Sequence, residues 1–245
     1  MTVHDPAGAS SVDEVLDTIA HEVRTPLSVV RMAANTLASQ PLDAPERDRL
    51  LAMIVRNTDL AITLVDRIRR ARELEAGDLH LTIAETDPAR VARETVEDLA
   101  DLVLRDRPVR LEATSCPRVA ADIAALREIL LNLLMNAAQH SPPGAAIEVR
   151  VETGEDAVSV IVEDHGSGLD EEDLERVFGK YVSGTGRGGM GLGLYIARQL
   201  ARAQGGELGV RAGGGAGSAF VLRLPRFDVA DSAPAPVGGE LDREA

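Results

Sequence analysis

From Leu16 to Ala71 the apolar side chains fall at alternating spacings of three and four, and this restricts the fold more than any other feature of the chain. Leu16, Ile19, Val23, Pro26, Val30, Ala33 and Leu37 make one seam; Leu50, Ile54, Asn57, Ala61, Leu64, Ile68 and Ala71 make a second. Such a period draws one stripe down a helix, and the stripe needs another helix to cover it. Between the seams, Gln40–Pro45 carries Pro41, Asp43 and Pro45, which supply turn and helix-start chemistry, and Gly77 supplies a stop. The spacing predicts two long helices in an antiparallel hairpin. One hairpin cannot cover both seams and their flanks, so an all-α hairpin that completes a four-helix bundle in a homodimer is expected. Asn57 reads equally as a register-setting polar residue and as a tolerated one.

After Gly77 the pattern turns mixed. Leu79–Ala84 alternates as a strand, Pro88–Arg105 is amphipathic, and Val109–Ala113 reads as a short strand. Ile123–His140 is strongly helical and closes at Ser141-Pro142-Pro143-Gly144. Ile147–Glu152 and Val158–Glu163 read as neighbouring strands, Leu192–Ala203 as a helix opening from glycines, and Leu208–Arg211 with Ala219–Leu224 as closing strands. The expected architecture is an α+β two-layer sandwich, a sheet covered on one face by helices. Four segments result: a disordered N-terminus over 1–10, the hairpin domain over 11–77, the α+β domain over 78–227, and a disordered tail over 228–245 whose Ala, Pro, Gly and acidic residues cannot build a core.

Charge narrows the function. Forty acidic residues against 26 basic ones in 245 residues leave a formal net charge of −14, a field that repels phosphate backbones and anionic lipid. Nucleic acid is therefore not expected as a partner. No apolar run reaches the roughly 20 residues that span a bilayer, so direct membrane insertion is not expected either, and the single Cys116 suits a cytoplasmic location. About 11 residues precede the first helix, too few for a sensor module, so either the input is expected from a separate protein or the chain is a fragment of a longer one.

Four elements carry chemistry. His21 lies two residues from the seam positions Ile19 and Val23, which turns its ring away from the bundle core, and Glu22 follows it directly. A neutral imidazole is a competent nucleophile near neutral pH, and an adjacent carboxylate can orient it and accept its proton. Pro26 removes the backbone bond to the Glu22 carbonyl and is expected to kink the helix. Asn132 and Asn136 share one helix face, one turn apart, and amide oxygens suit Mg²⁺. Asp164-His165-Gly166-Ser167-Gly168 follows an apolar strand and sets a carboxylate beside glycines that let a ligand approach. Gly184–Gly193 holds six glycines and ends in Gly189-Met190-Gly191-Leu192-Gly193-Leu194 where a helix opens, a phosphate cradle of free amides. The lysine and hydroxyl of a Walker loop are missing there.

These elements, in this order, resemble the catalytic core of bacterial sensor histidine kinases over about Val12 to Arg226. His21–Leu27 is similar to the H-box of that family, Asn132–Asn136 to its N-box, Asp164–Gly168 to its G1 box, Val177–Tyr181 to its F-box and Gly189–Leu194 to its G2 box. The resemblance implies a dimerisation and phosphotransfer hairpin followed by a Bergerat-type ATP-binding domain. It implies ATP and Mg²⁺ as cofactors, a response regulator receiver domain as partner, and a kinase that autophosphorylates a histidine and passes the phosphoryl group to an aspartate.

By the same resemblance His21 is the phosphoacceptor, Glu22 its acid–base partner, and Thr25 the residue that positions water when the regulator is dephosphorylated. Asn136 holds Mg²⁺, and Asp164 reads adenine with Gly166 and Gly168 giving close approach. Gly189, Gly191, Leu192 and Gly193 wrap the phosphates, and Phe178 anchors the lid. Where related ATPases carry a glutamate this chain has Asn132, and an amide cannot act as a general base toward water. Two departures stand out: Gln139 replaces a basic residue, and His140 stands where an aromatic is usual, with stacking on adenine and a satisfied helix-end histidine equally open for it. Lys180, the only lysine, falls at the cation position of the F-box, where a phosphate role and a plain surface role are equally open. Gln139 also admits another reading, a histidine phosphotransfer scaffold with a weak or inactive ATP domain.

Overall fold

The computed structural model describes residues 12–100, 104, 107–113, 116–182, 190–212 and 217–227. The expected disordered ends at 1–10 and 228–245 lie outside these residues.

The hairpin forms as predicted, from α1 (Val12–Ser39) and α2 (Ala44–Ala76). Asp43 caps α2 by accepting a hydrogen bond from the Glu46 amide at 2.8 Å, with Pro45 in the first turn, and Gly77 closes the helix in the left-handed region at φ +73°. Pro26, Ala33, Ala61, Leu64 and Ala71 of the two seams are buried. The Asn57 amide is spent on its own helix, donating to the Met53 carbonyl at 2.8 Å. A second apolar stripe on α2, Leu51, Val55, Ile62 and Val65, faces solvent in the single chain, as does Leu27 on α1. Pro26 does not end α1, which runs through it as one α-helix.

The second domain is built on a five-stranded mixed sheet in the order β2-β4-β5-β7-β6, formed by β2 (Val109–Ala113), β4 (Ile147–Thr153), β5 (Ala157–Glu163), β6 (Glu207–Ala212) and β7 (Ser218–Pro225). Only the β2–β4 pair is parallel. Val149, Val151, Val158, Val160, Val162, Phe220, Leu222 and Leu224 are buried, while Glu148, Arg150, Ser159 and Arg223 alternate with them on the opposite face. The period of two thus puts every second residue under the helix layer. That layer consists of α3 (Pro88–Ala100), α4 (Ile123–His140) and α6 (Gly193–Ala203), with the single turn α5 (Asp173–Arg176) at the side.

One expectation is corrected. Leu79–Ala84 is not a strand: only Ala84–Thr86 (β1) pairs, antiparallel to the unforeseen β3 (Val119–Ala121). The Thr82 amide donates instead to the Asp122 carboxylate at 2.7 Å, so a side chain takes the bond a ladder would need. Packing also continues across Gly77. Leu64 and Ala71 of α2 belong to the same contiguous core as the sheet domain, and Arg70 of α2 donates twice to Glu128 of α4, at 3.2 and 3.0 Å.

Candidate active site

His21 is exposed on α1, Glu22 half-buried, and Pro26 buried one turn further. The Thr25 hydroxyl donates to the His21 carbonyl at 3.0 Å, so in this arrangement it is held by the backbone of its own helix.

Asn132, Asn136, His140, Asp164, Gly166, Gly168 and Gly193 lie on the end of α4, the turn after β5 and the start of α6, with the start of β7 against the aspartate turn. Asn132 is fixed from both ends. Its Nδ2 donates to the Glu128 carbonyl at 3.0 Å, and its Oδ1 lies against Gly193, where a Cβ would come within 3.0 Å of it. This brings the asparagine pair onto the opening turn of α6. That helix starts at Leu192 without a side-chain cap, which leaves first-turn amides available to an anion. Asn136 is half-buried on the next turn of α4.

Asp164 is 3% exposed at the end of β5. Its Oδ1 accepts from the Gly166 amide at 2.8 Å, and its own amide donates to the Ser218 carbonyl at 2.9 Å. Burial pushes its carboxyl up, against the opposing pull of the Gly166 and Ser218 amides and of the nearby His140 and His165. Gly166 cannot be replaced without cost: a Cβ there would stand 2.6 Å from the His140 carbonyl oxygen, so the α4 terminus and the aspartate turn are in backbone contact. Gly168 sits at φ +77° against Gly217. His140 is exposed at the end of α4.

At the other rim, Gly191 is left-handed at φ +61°, and its missing Cβ would lie 2.5 Å from the Val182 backbone. Gly189 lies outside the described residues. The Leu192 side chain is fully buried in the core, so only its backbone is available to a ligand. Phe178 is likewise core. It meets Phe220 edge-on, with ring centroids 6.3 Å apart, under the Arg198 guanidinium at 4.6 Å. Lys180 pairs with Glu75 of α2 and lies over the Tyr195 ring at 5.2 Å. Burial pulls its ammonium down, but the bond to Glu75 and the neighbouring Tyr195 outweigh this and leave it raised.

Three features escaped the sequence reading. Ser218 and Gly217 clasp Asp164 from β7; a Cβ on Gly217, at φ +136°, would stand 2.0 Å from the Asp164 carbonyl oxygen. The Gly-Ser pair opening the last strand was the available signal. Tyr181 is the one non-glycine residue at positive φ among the described residues, +60°, at the root of the glycine-rich segment. Lastly, Arg67, Arg70 and Glu75 of the hairpin reach the second domain, for which no local pattern exists.

Two families match the chain. "His Kinase A (phospho-acceptor) domain" matches residues 11–77, and "Histidine kinase-, DNA gyrase B-, and HSP90-like ATPase" matches residues 121–228. The sensor protein TorS of Escherichia coli (strain K12) is 35% identical over 217 residues, covering 86% of this chain and 23% of TorS. RssA, a swarming motility regulation sensor protein of Serratia marcescens, is 32% identical over 211 residues, covering 84% of this chain and 45% of RssA. The chain thus spans less than half the length of these curated relatives. Among solved structures, full-length ShkA in complex with AMPPNP superposes with a TM-score of 0.66 at 28% identity, over 91% of this chain and 47% of ShkA. No helix of the described residues is long and apolar enough to cross a membrane. With a phospho-acceptor hairpin joined to an ATPase domain of this type, the chain belongs to the sensor histidine kinases of two-component systems.

Proposed function

We propose that this chain is an ATP-dependent protein histidine kinase that phosphorylates its own His21 and passes the phosphoryl group to an aspartate of a response regulator. The observation that carries this reading is the pairing of an exposed histidine on a continuous helix with a second domain in which Asn132 lies against Gly193 at an uncapped helix start and a buried Asp164 is held beside Gly166 and Ser218.

In this reading the residues divide the work as follows. Asp164 accepts a hydrogen bond from the adenine amino group, and Gly166 and Gly168 let the base approach the backbone, with His140 at the rim. Amides at Gly191, Leu192 and Gly193 hold phosphate oxygens, and Gly189 continues the same loop. Asn136 holds Mg²⁺, and the carboxamide fits such an ion, which draws its other ligands from phosphate and water. When bound, Mg²⁺ neutralises charge that builds on the phosphates. The His21 imidazole attacks the γ-phosphorus, the bond to the ADP oxygen breaks, and the imidazole proton passes to Glu22. Asn132 cannot activate water, which reserves the γ-phosphoryl group for the histidine. Thr25 positions water for dephosphorylation of the regulator once its hydroxyl leaves the His21 carbonyl. Phe178 anchors the lid from the core. Lys180 exchanges Glu75 for phosphate when the domains separate.

The domains in this reading are residues 11–77 for dimerisation and phosphotransfer and 78–227 for ATP binding. The exposed stripe Leu51, Val55, Ile62 and Val65 supports a homodimer, since a second copy would cover it. A response regulator is the partner of the histidine kinase ThkA in a solved complex whose fold this chain shares at a TM-score of 0.66 and 21% identity. A cytoplasmic location follows from this partner and from the single cysteine, and the input comes from a sensor outside residues 12–227.

The test is incubation with Mg²⁺ and ATP radiolabelled at the γ-phosphate, comparing the wild type with His21→Ala. Acid-labile, base-stable label that disappears in the variant is expected. Label that persists in His21→Ala, or no label from folded dimer supplied with its regulator and input, overturns the proposal; binding without label points to a phosphotransfer scaffold.

A further inference from the structure

The side of α4 that carries Asn132 is partly covered by the hairpin. Glu128, Asn132 and Met135 follow at spacings of four and three on that side, so they form one stripe. Arg70 of α2 donates to Glu128 at 3.2 and 3.0 Å, and Arg67, one turn earlier on α2, points its Nη2 at the Met135 sulfur at 3.9 Å. The two arginines therefore bracket Asn132, whose Oδ1 lies 3.0 Å from where a Cβ on Gly193 would stand, at the uncapped start of α6.

The partners of these cations are unequal. Arg70 is paired with Glu128 and Glu73, Lys180 with Glu75, and Arg198 with Glu175. Arg67 forms no ion pair among the described residues, although the residue is half-buried. Its nearest acceptor is a thioether, which accepts weakly, and Glu128, the carboxylate within its electrostatic reach, is already bonded twice to Arg70. A guanidinium withdrawn from water is stable beside a strong, preferably bidentate, anionic acceptor. Between Arg127 and His140, α4 brings no cation of its own to this side.

We propose that Arg67 reaches from the hairpin to supply positive charge to the terminal phosphates of ATP held at Asn132 and Gly193, so that the hairpin completes the nucleotide site of its own chain. This rests on the nucleotide-binding reading above. Arginine suits the task because its planar fork matches two phosphate oxygens, whereas adenine and ribose offer it no anion. Discrimination between ATP and AMP is therefore where Arg67 shows itself.

The experiment measures dissociation constants of ATP and AMP, both with Mg²⁺, for the 245-residue chain and for its Arg67→Gln and Arg67→Lys variants, by competition against a fluorescent ATP analogue. Far-UV circular dichroism and a thermal melt serve as the fold control. Arg67→Gln is expected to weaken ATP by about tenfold to a hundredfold, the worth of one charge-assisted contact. AMP is expected to change by less than about twofold, and Arg67→Lys to recover part of the loss. Equal ATP affinity in wild type and Arg67→Gln overturns the assignment. Parallel weakening of ATP and AMP also overturns it, since that marks a merely structural arginine. A folded wild type that binds neither nucleotide overturns the nucleotide-binding reading itself.

Discussion

Gly193→Ala separates the fold from the site in a single substitution. Gly193 is the first residue of α6 and has no positive φ, so alanine fits its backbone and gains about 0.5–1 kcal/mol of helix preference. The new Cβ would lie 3.0 Å from Asn132 Oδ1 and 3.7 Å from its Cγ, so the amide has to shift by a few tenths of an ångström. That shift strains the 3.0 Å bond from Asn132 Nδ2 to the Glu128 carbonyl, whose whole worth is about 1 kcal/mol. The two effects oppose each other, and the net change in stability stays within about 0.5 kcal/mol, or roughly 2 °C in Tm for a chain of this size. Nucleotide binding has no such compensation, because the methyl group occupies the approach between Asn132 and the helix start. Loss of one or two phosphate contacts to amides weakens ATP by about tenfold to a hundredfold. Gly191→Ala provides the contrast: its φ of +61° and a Cβ 2.5 Å from the Val182 backbone predict a loss of several degrees in Tm. Thermal unfolding and calorimetric titration with ATP and Mg²⁺ on both variants decide the matter. Undiminished ATP affinity in Gly193→Ala, or a Tm loss as large as that of Gly191→Ala, would refute the placement of phosphates at this helix start.

Phe178→Ala is expected to cost about 3–5 kcal/mol, because it empties a buried position between Phe220 and Arg198; a Tm within about 3 °C of wild type would show that the ring is not core. The Asp164 carboxyl is raised above 3.8 by burial, so the folded chain takes up its proton at higher pH than the unfolded chain. This group therefore lowers stability while ionised and ceases to do so as pH falls through the folded pKa. In the proposed site, adenine binding needs the ionised form and therefore weakens over the same interval. A series of ATP titrations toward acid pH is expected to show that weakening above the range of an ordinary carboxyl, and Asp164→Asn is expected to bind ATP poorly while melting at or above the wild-type Tm near neutral pH. An Asp164→Asn variant that binds ATP as the wild type does removes the aspartate from the site.

Local sequence carried those parts of the fold whose signal is periodic or local. The seams placed Pro26, Ala33, Ala61, Leu64 and Ala71 inward and left His21 outside, because a stripe of period near 3.5 has one interior side whatever covers it. Ile123–His140 and Val109–Ala113 begin and end where the pattern does, helped in the helix by the Asp122 cap, which accepts from the Ala125 amide at 2.9 Å. The boxes were legible since each packs its chemistry into a few consecutive residues. Leu79–Ala84 misled because alternation shows which residues favour a strand but not whether a partner strand exists, and Asp122, forty residues away, took the amide.

What only the tertiary structure decided are the contacts between residues far apart in the chain. Ser218 and Gly217 at Asp164 lie more than fifty residues from it, joined by the β5–β7 pairing. The Arg70–Glu128 pair closes 58 residues and the Arg67–Met135 contact 68. Such pairs leave no periodicity to read, since each depends on how two separately folded surfaces come together. By itself the sequence determined the helical hairpin and the sheet layered with helices, and it named the candidate residues; that Arg70 is held by Glu128 while Arg67 meets the Met135 sulfur was decided by packing.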